Sequence, residues 1–549
     1  MTLRVSTVFS FALLGLSQVG QALVPRQEAT FFNPLIWADL ADDEVFRVGD
    51  TYCYSASTMH YSPGAPLLRS YDLVNWEFVS HSVPELPGSK FSLNGSDSAG
   101  YVNGVWASSL GYRESSGVFY WYGCIQGTDE THIYTASSPE GPWTHHDPIP
   151  KLSYKNGTKC YYDLGLLIDT NDTMYIAYGA VDIRLAQLSP GGFTEVRNEL
   201  MYTEDAHRYI EGSRFYHING NYYIWVTKPG DEQHVLKSTS GPWGPYEIRQ
   251  VIAQMKAPVE GAGAPHQGGL VSTEDGKWYY MAFIDAYPGG RAPVLAPVEF
   301  DAEGWPSVVT DADGGWGVEY AMPVTTSKTV QGVGSYVDKF EGDALNPRWE
   351  WNHNPDNDAW SLGPDGVTLH TATVCEGLYG AANTLTQRTI GPRSQATFRL
   401  DISEMVDGDQ AGVAALRQLS AGIGIHKVDG VSKLVYVDEI SMVVRDSLTD
   451  WVTTSNGYVK AEGPTISGGD LWLRIKADIS PPVAGSSAWP NATFWFSTDG
   501  DNFEQLGPVY ELNNEWFFFK DHRFSVFNWA KTRLGGSILV REFELEGLE

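Results

Sequence analysis

Between residues 42 and 283 the sequence states one pattern five times: a polar or aromatic residue, a short apolar strand, a tight turn carrying Gly, Asn or Asp, and a second strand of alternating aromatic and aliphatic residues. The copies are DDEVFRVGDTYCYSAS from Asp42, WASSLGYRESSGVFYWYG from Trp106, DLGLLIDTNDTMYIAYG from Asp163, EGSRFYHINGNYYIWVT from Glu211 and HQGGLVSTEDGKWYYMAF from His266. Each reads as a β-hairpin. Their starts lie roughly 50 to 65 residues apart, a period of blades or solenoid turns and not of one mixed sheet.

Outer segments recur as well. STMHYSPGAPLLRSYDLVNWE follows the first hairpin, and THIYTASSPEGPW, IRLAQLSPGGF, HVLKSTSGPW and APVLAPVEFDAEGW follow the others. Four short strands per unit is the propeller arrangement, which leaves only short, protected sheet edges. Residues 29–322 are therefore expected to form a five-bladed β-propeller. The aromatic-poor stretch 323–336 reads as a linker. Residues 337–549 carry at least eight alternating runs, among them QATFRLDI, WLRIKADI, TFWFSTDG and SILVREFELE, with no helical period. They are expected to form a two-sheet sandwich of jelly-roll type, so the fold class is all-β.

The 549 residues include 19 Trp, 29 Tyr and 23 Phe, ample mass for two cores. A formal charge of -30 leaves no basic patch to neutralise phosphate, which excludes nucleic acid and anionic membranes as expected partners and favours a neutral polymer. Arg4, the apolar run VSTVFSFALLGL and the small residues of GQA read as a signal peptide over residues 1–22, so a secreted, extracellular protein is expected. Sequons at Asn94, Asn156, Asn171 and Asn491 fit a glycoprotein. Four scattered cysteines form no metal spacing; Cys124 and Cys160 are the expected disulfide pair, and burial as small hydrophobes is the alternative.

If the five hairpins are equivalent, Asp42, Trp106, Asp163, Glu211 and His266 meet round one axial opening. Three carboxylates converging on one pocket repel and desolvate one another, a cost that packing does not explain. Two carboxylates separated by a water are what inverting glycosidases use, one as acid toward the leaving oxygen and one as base toward water, and a third can raise the acid's pKa. Taken singly, each acid could equally be bonding backbone amides at a turn.

NPLIWADLADDEVFRVGD, DLVNW at residues 72–76, VWA at 105–107, YYDLGLLID around Asp163 and IEGSRFYHINGNYY around Glu211 resemble glycoside hydrolase family 43, over about residues 30–325. FEGDALNPRWEWNHNPDNDAWSL and LTQRTIGPRSQ resemble the concanavalin-like sandwich appended to many members. The resemblance implies an inverting mechanism with Asp42 as base, Asp163 as pKa modulator and Glu211 as acid. Members commonly carry Asp-Pro where this chain has Asp42-Asp43; counting back from Arg47 selects Asp42, with Asp43 and the more distant Asp39 as alternatives. His266 resembles a histidine that helps hold calcium or another ion at the propeller centre, usually through water, although the chemistry itself requires no cofactor. Arg291 resembles a substrate-binding arginine, against the alternative of a surface ion pair. Trp106 and Trp76 are candidate sugar platforms, with packing equally open for Trp76, and His60 is a further pocket candidate. Trp349, Trp351 and Trp516 of the sandwich are expected in its core, with a sugar platform as the alternative.

Within this resemblance the chain looks most like secreted fungal members, expected to act as a monomer, that remove α-L-arabinofuranosyl side chains from arabinoxylan, including those on doubly substituted xylose. The alternative is an exo-acting β-xylosidase on xylo-oligosaccharides. A carbohydrate-binding protein without hydrolytic activity is the alternative of another class.

Overall fold

The computed structural model describes residues 29–93, 100–149, 160–204 and 209–548. Residues 1–22, expected as a signal peptide, and Asn94 and Asn156 lie outside the described residues. The rest of the chain forms a five-bladed propeller followed by a β-sandwich.

Each blade is a four-stranded antiparallel sheet. The innermost strands are Glu44–Val48, Gly104–Arg113, Gly165–Ile168, Glu211–Ile218 and His266–Ser272. The hairpin partner of each carries the aromatic run. Its side chains alternate between the two faces of the blade, so both faces can pack on neighbouring blades. Trp121 and Trp225 are wholly buried this way, and Trp225 lies 4.8 Å from Tyr280 of the next blade. Burying one such indole is worth about 4 to 6 kcal/mol before entropy is counted. That is why the repeat needs an aromatic in every copy.

The ring is closed where Thr30–Phe32 pairs with Glu319–Ala321. Asn33 fastens the closure, its amide nitrogen donating to Leu295 O at 3.0 Å and Gly317 O at 2.9 Å while its Oδ1 accepts from Leu295 N at 2.8 Å. Cys124 and Cys160 are joined in a disulfide. It ties the second blade to the segment that enters the third. Asn171 is exposed at a turn, and Asn491 is half-buried at the start of a sandwich strand.

Residues 323–335 lie against the first blade, where Gln331 N donates to Glu77 Oε2 at 3.0 Å, and Tyr336–Asp338 already pairs with the sandwich's last strand. The sandwich packs a nine-stranded sheet on an eight-stranded one. Its core includes Phe398, Leu473, Phe494, Val526 and Phe543, with Trp349 and Trp351 buried in it. One strand of the eight-stranded sheet, Tyr61–Ser62, comes from the propeller and pairs with Glu350–Asn352. Glu350 is fully buried at this junction and accepts from His81, Arg388 and Arg523. Burial opposes its charge, but the two guanidiniums outweigh burial and hold the carboxyl well below its usual range. Such a network fixes the relative placement of the domains more surely than it adds stability.

Candidate active site

A cavity of about 620 Å³ opens at one end of the propeller axis. Asp42, Trp106, Asp163, Glu211 and His266, one from each blade, all line it. At each of these positions the backbone departs from regular strand. Asp42 and Asp163, two residues before their strands, have φ of 62° and 49°. The pairing slips between Glu211 and Arg214, between His266 and Gly268, and between Val105 and Ser108 on either side of Trp106. Bulges and left-handed residues turn a side chain out of the sheet toward an opening, and Asp tolerates the left-handed region better than most. Each left-handed residue stores on the order of 1–3 kcal/mol, which the rigid ring supports. Gly165 lets the third and fourth blades close on each other here, because a Cβ would lie 2.5 Å from Ser213 O.

The three acids have distinct surroundings. Asp42 is gripped by Arg291, whose two terminal nitrogens lie 3.0 and 3.2 Å from its carboxylate oxygens; one also donates to Ser57 Oγ at 3.3 Å. Glu211 accepts from the Tyr162 hydroxyl at 3.0 Å and is also bonded by Tyr209. Burial pushes its carboxyl up to about 7, opposed by the Tyr162 bond and aided by the charge of Asp42. Asp163 is raised well above the usual carboxylate range by burial first, then by Glu211 and Asp42. Burial and their mutual repulsion disfavour Asp163 and Glu211 ionising together, which favours a proton held between them. That supplies an acid, while the carboxylate paired with Arg291 is available as a base.

Neither alternative base lines the cavity. Asp43 points into the propeller wall, where Tyr54 donates to it at 2.7 Å and burial pushes its carboxyl up to about 8. Asp39 is fully buried in an ion pair with Lys520 and accepts Arg291 N at 2.9 Å. Burial opposes ionisation of Asp39, but Lys520 and Arg291 outweigh it and hold the carboxyl below its usual value.

Arg291 is not a surface ion pair but a buried residue of the cavity wall. Trp106 is half-buried there, its indole donating to Val102 O at 2.7 Å and its ring 5.6 Å from that of Phe519. Trp76 and His60 do not line the cavity. Trp76 is a core residue, 1% exposed, its ring 5.5 Å from Tyr54 and its N–H bonded to Leu73 O; the DLVNW turn folds it under the blade. His60 is fully buried among Tyr61, Tyr101, His353 and Phe518 at the domain junction, its Nδ1 accepting from Val102 N, and cannot reach a substrate.

Near the axis stands Arg214, fully buried, donating to the carbonyls of Asp42 at 2.7 Å, Asp43 at 3.1 Å and Leu164 at 2.8 Å. One guanidinium thus ties three blades together, with the Glu44 carboxylate 3.6 Å away. His266 bonds Ala264 O through Nδ1 and packs on Phe283. Among the described residues no three His, Cys, Asp or Glu side chains come together as a metal site. His266 stands in the cavity wall.

Sequence reasoning missed Tyr162, Tyr209, Tyr287, Phe283 and the sandwich residues Leu448 and Phe519, and it favoured the core for a third sandwich residue, Trp516; all of these line the cavity. Tyr162 adjoins Asp163 and could have been flagged by that position. Trp516 is 56% exposed, not in the core, and its ring lies 5.6 Å from Phe519. Nothing in the sandwich sequence marks these three, because they reach the cavity only through domain packing.

The chain was compared with known proteins. Residues 31–306 match the family Glycosyl hydrolases family 43, and residues 337–524 match the Beta xylosidase C-terminal Concanavalin A-like domain. A Beta-xylosidase of Formosa agariphila is 29% identical, covering 94% of this chain and 90% of that protein. A Non-reducing end alpha-L-arabinofuranosidase of Bacteroides ovatus is 27% identical, covering 73% of this chain and 76% of that one. A solved GH43 glycoside hydrolase, with an active site engineered to display both endo-xylanase and exo-arabinofuranosidase activity, superimposes with a TM-score of 0.89 at 44% identity. That match covers 95% of this chain and all of the other.

Proposed function

The chain belongs to glycosyl hydrolases family 43, and from that premise we propose that it is a secreted, inverting α-L-arabinofuranosidase that removes side chains from arabinoxylan, including those on doubly substituted xylose. The observation that carries the reaction type is the trio at the cavity: Glu211 with its carboxyl raised to about 7, Asp163 beside it, and Asp42 paired with Arg291. Glu211 gives its proton to the glycosidic oxygen as the bond to the anomeric carbon breaks. Asp42 takes a proton from water, whose oxygen attacks that carbon from the opposite face, so the configuration inverts. Asp163 keeps Glu211 protonated by its proximity and orients it. Trp106, Trp516 and Phe519 offer apolar faces to the C–H sides of sugar rings, and Arg291 offers donors to hydroxyls.

The arabinose preference is supported by the likeness at 44% identity to an enzyme with exo-arabinofuranosidase activity. The second reading, exo-acting β-xylosidase, is favoured by the name of the Formosa relative. Secretion is supported by the leader pattern and by the Cys124–Cys160 disulfide, which suits an oxidising compartment. Product analysis on arabinoxylan, before and after removal of singly linked branches, separates the readings. Free arabinose, still released after that treatment, is the expected result; xylose alone from xylo-oligosaccharides establishes the xylosidase. Binding with no sugar released would leave a binding protein. An NMR signal for retained anomeric configuration in the first product refutes inversion.

A further inference from the structure

We propose that Lys520, a residue of the sandwich, is a positioning residue for the base in the propeller, acting through Asp39, Ser57 and Arg291. The inference rests on the reading of Asp42 as base.

Arg291 holds Asp42 with two hydrogen bonds and is itself held by two supports. Asp39 Oδ1 accepts its backbone N–H at 2.9 Å, and Ser57 Oγ accepts from its side chain at 3.3 Å. Lys520 touches both supporting residues. Its ammonium pairs with Asp39 Oδ2 and donates to Ser57 O at 3.1 Å. Lys520 and Asp39 are wholly buried and Arg291 nearly so. The contact is built into the chain on the propeller side as well: Gly290 has a φ of 83° and a Cβ there would sit 2.5 Å from Asp39, so only glycine lets the loop come close enough for Asp39 to reach Arg291 N.

Stability alone does not explain an ammonium in this place. Buried ion pairs are commonly matched or surpassed by apolar packing of the same volume. Here the setting is harsher, because the charges facing Lys520 are three guanidiniums, those of Arg523, Arg388 and Arg291, besides Asp39 and the nearby Asp521. Burial first, and those cations next, make it harder for Lys520 to stay charged. What the ammonium does provide is orientation: one rigid point that fixes both supports of Arg291. The same short segment turns Trp516 and Phe519 to the cavity and Lys520 away from it, so seating the sandwich both walls the site and locks the base.

The test uses the full chain and an aryl glycoside. Lys520→Met is compared with wild type and with Asn354→Ala, which removes domain-junction bonds to Leu86 N and O at 2.9 and 2.7 Å that involve none of Lys520, Asp39, Ser57 and Arg291. The expected result is a kcat about 10- to 100-fold lower for Lys520→Met, as for small misplacements of a reacting group, with KM within about two-fold. Asn354→Ala should keep its kcat. In an Arg291→Ala background Lys520→Met should cost less than about two-fold, since residues acting as one unit are not additive. An unchanged kcat, or an equal loss in both backgrounds, overturns the proposal. If Lys520→Met does not fold, the neutral pair Asp39→Asn with Lys520→Met leaves no lone buried charge and is read by the same two criteria. Equal hydrolysis by wild type and Glu211→Gln refutes the proposed function and the relay with it, whereas a dead Glu211→Gln beside a fully active Lys520→Met refutes the relay alone.

Discussion

Tyr162 donates its hydroxyl to Oε2 of Glu211 at 3.0 Å, reaching from the entry of the third blade to the first residue of the fourth. The bond orients the proposed acid and favours its ionised form, so it sets where the acid stops working. Tyr162→Phe should move the alkaline limb of the kcat/KM profile to higher pH, by up to about one pH unit, since a bond that lowers the Glu211 carboxyl is removed. A limb that stays in place counts against Glu211 as the acid.

Removing the acid itself is harsher. Glu211→Gln should lower kcat/KM on arabinoxylan about 10²- to 10⁴-fold, the usual range for general acid catalysis, and less on aryl glycosides whose leaving group needs little protonation. Equal losses on both substrates would mean that Glu211 serves binding or folding instead.

The same residue links stability to pH. With its carboxyl raised from 4.5 to about 7, the folded protein keeps a proton that the unfolded chain releases between those values. This contribution is complete below about pH 4.5 and is lost as pH rises through 7, at about 1.4 kcal/mol for each pH unit crossed between the two values. The melting temperature should fall between about pH 4.5 and 7, and Glu211→Gln should flatten that fall. Parallel curves for the two proteins would remove Glu211 as the cause.

Trp516 stands half-exposed at the cavity rim on a turn of the sandwich. Trp516→Ala should raise KM about 5- to 30-fold, for the loss of about 1 to 2 kcal/mol of sugar-ring contact, while melting within a degree or two of wild type. A large drop in melting temperature with KM unchanged would make it a packing residue.

The disulfide closes a loop with a sequence separation of 36 residues. Replacing Cys124 and Cys160 by Ser should destabilise the protein by about 3 to 4 kcal/mol if the chain-entropy account holds. Denaturant midpoints measure this, and no difference would mean that the segment is ordered without the bond.

Asp42, Trp106, Asp163, Glu211 and His266 could be read as neighbours because a repeat converts sequence period into spatial symmetry, and the aromatic runs mark every blade's second strand. Trp76 and His60 could not be placed, since an aromatic on a turn has no period that tells cavity from core. The count back from Arg47 selected Asp42 over Asp39 and Asp43, but how Asp42 reaches the cavity could not be read, since it depends on one left-handed residue and one arginine from the fifth blade.

The sequence alone determined the five hairpins, the sandwich behind them and the three acids at equivalent positions, because alternation and repetition are local and survive without knowledge of contacts. The tertiary structure decided the rest. Arg291 meets Asp42 across 249 residues and Lys520 meets Ser57 across 463. Such contacts depend on how the ring closes and how the sandwich is seated on it, and a pattern read along one strand contains neither.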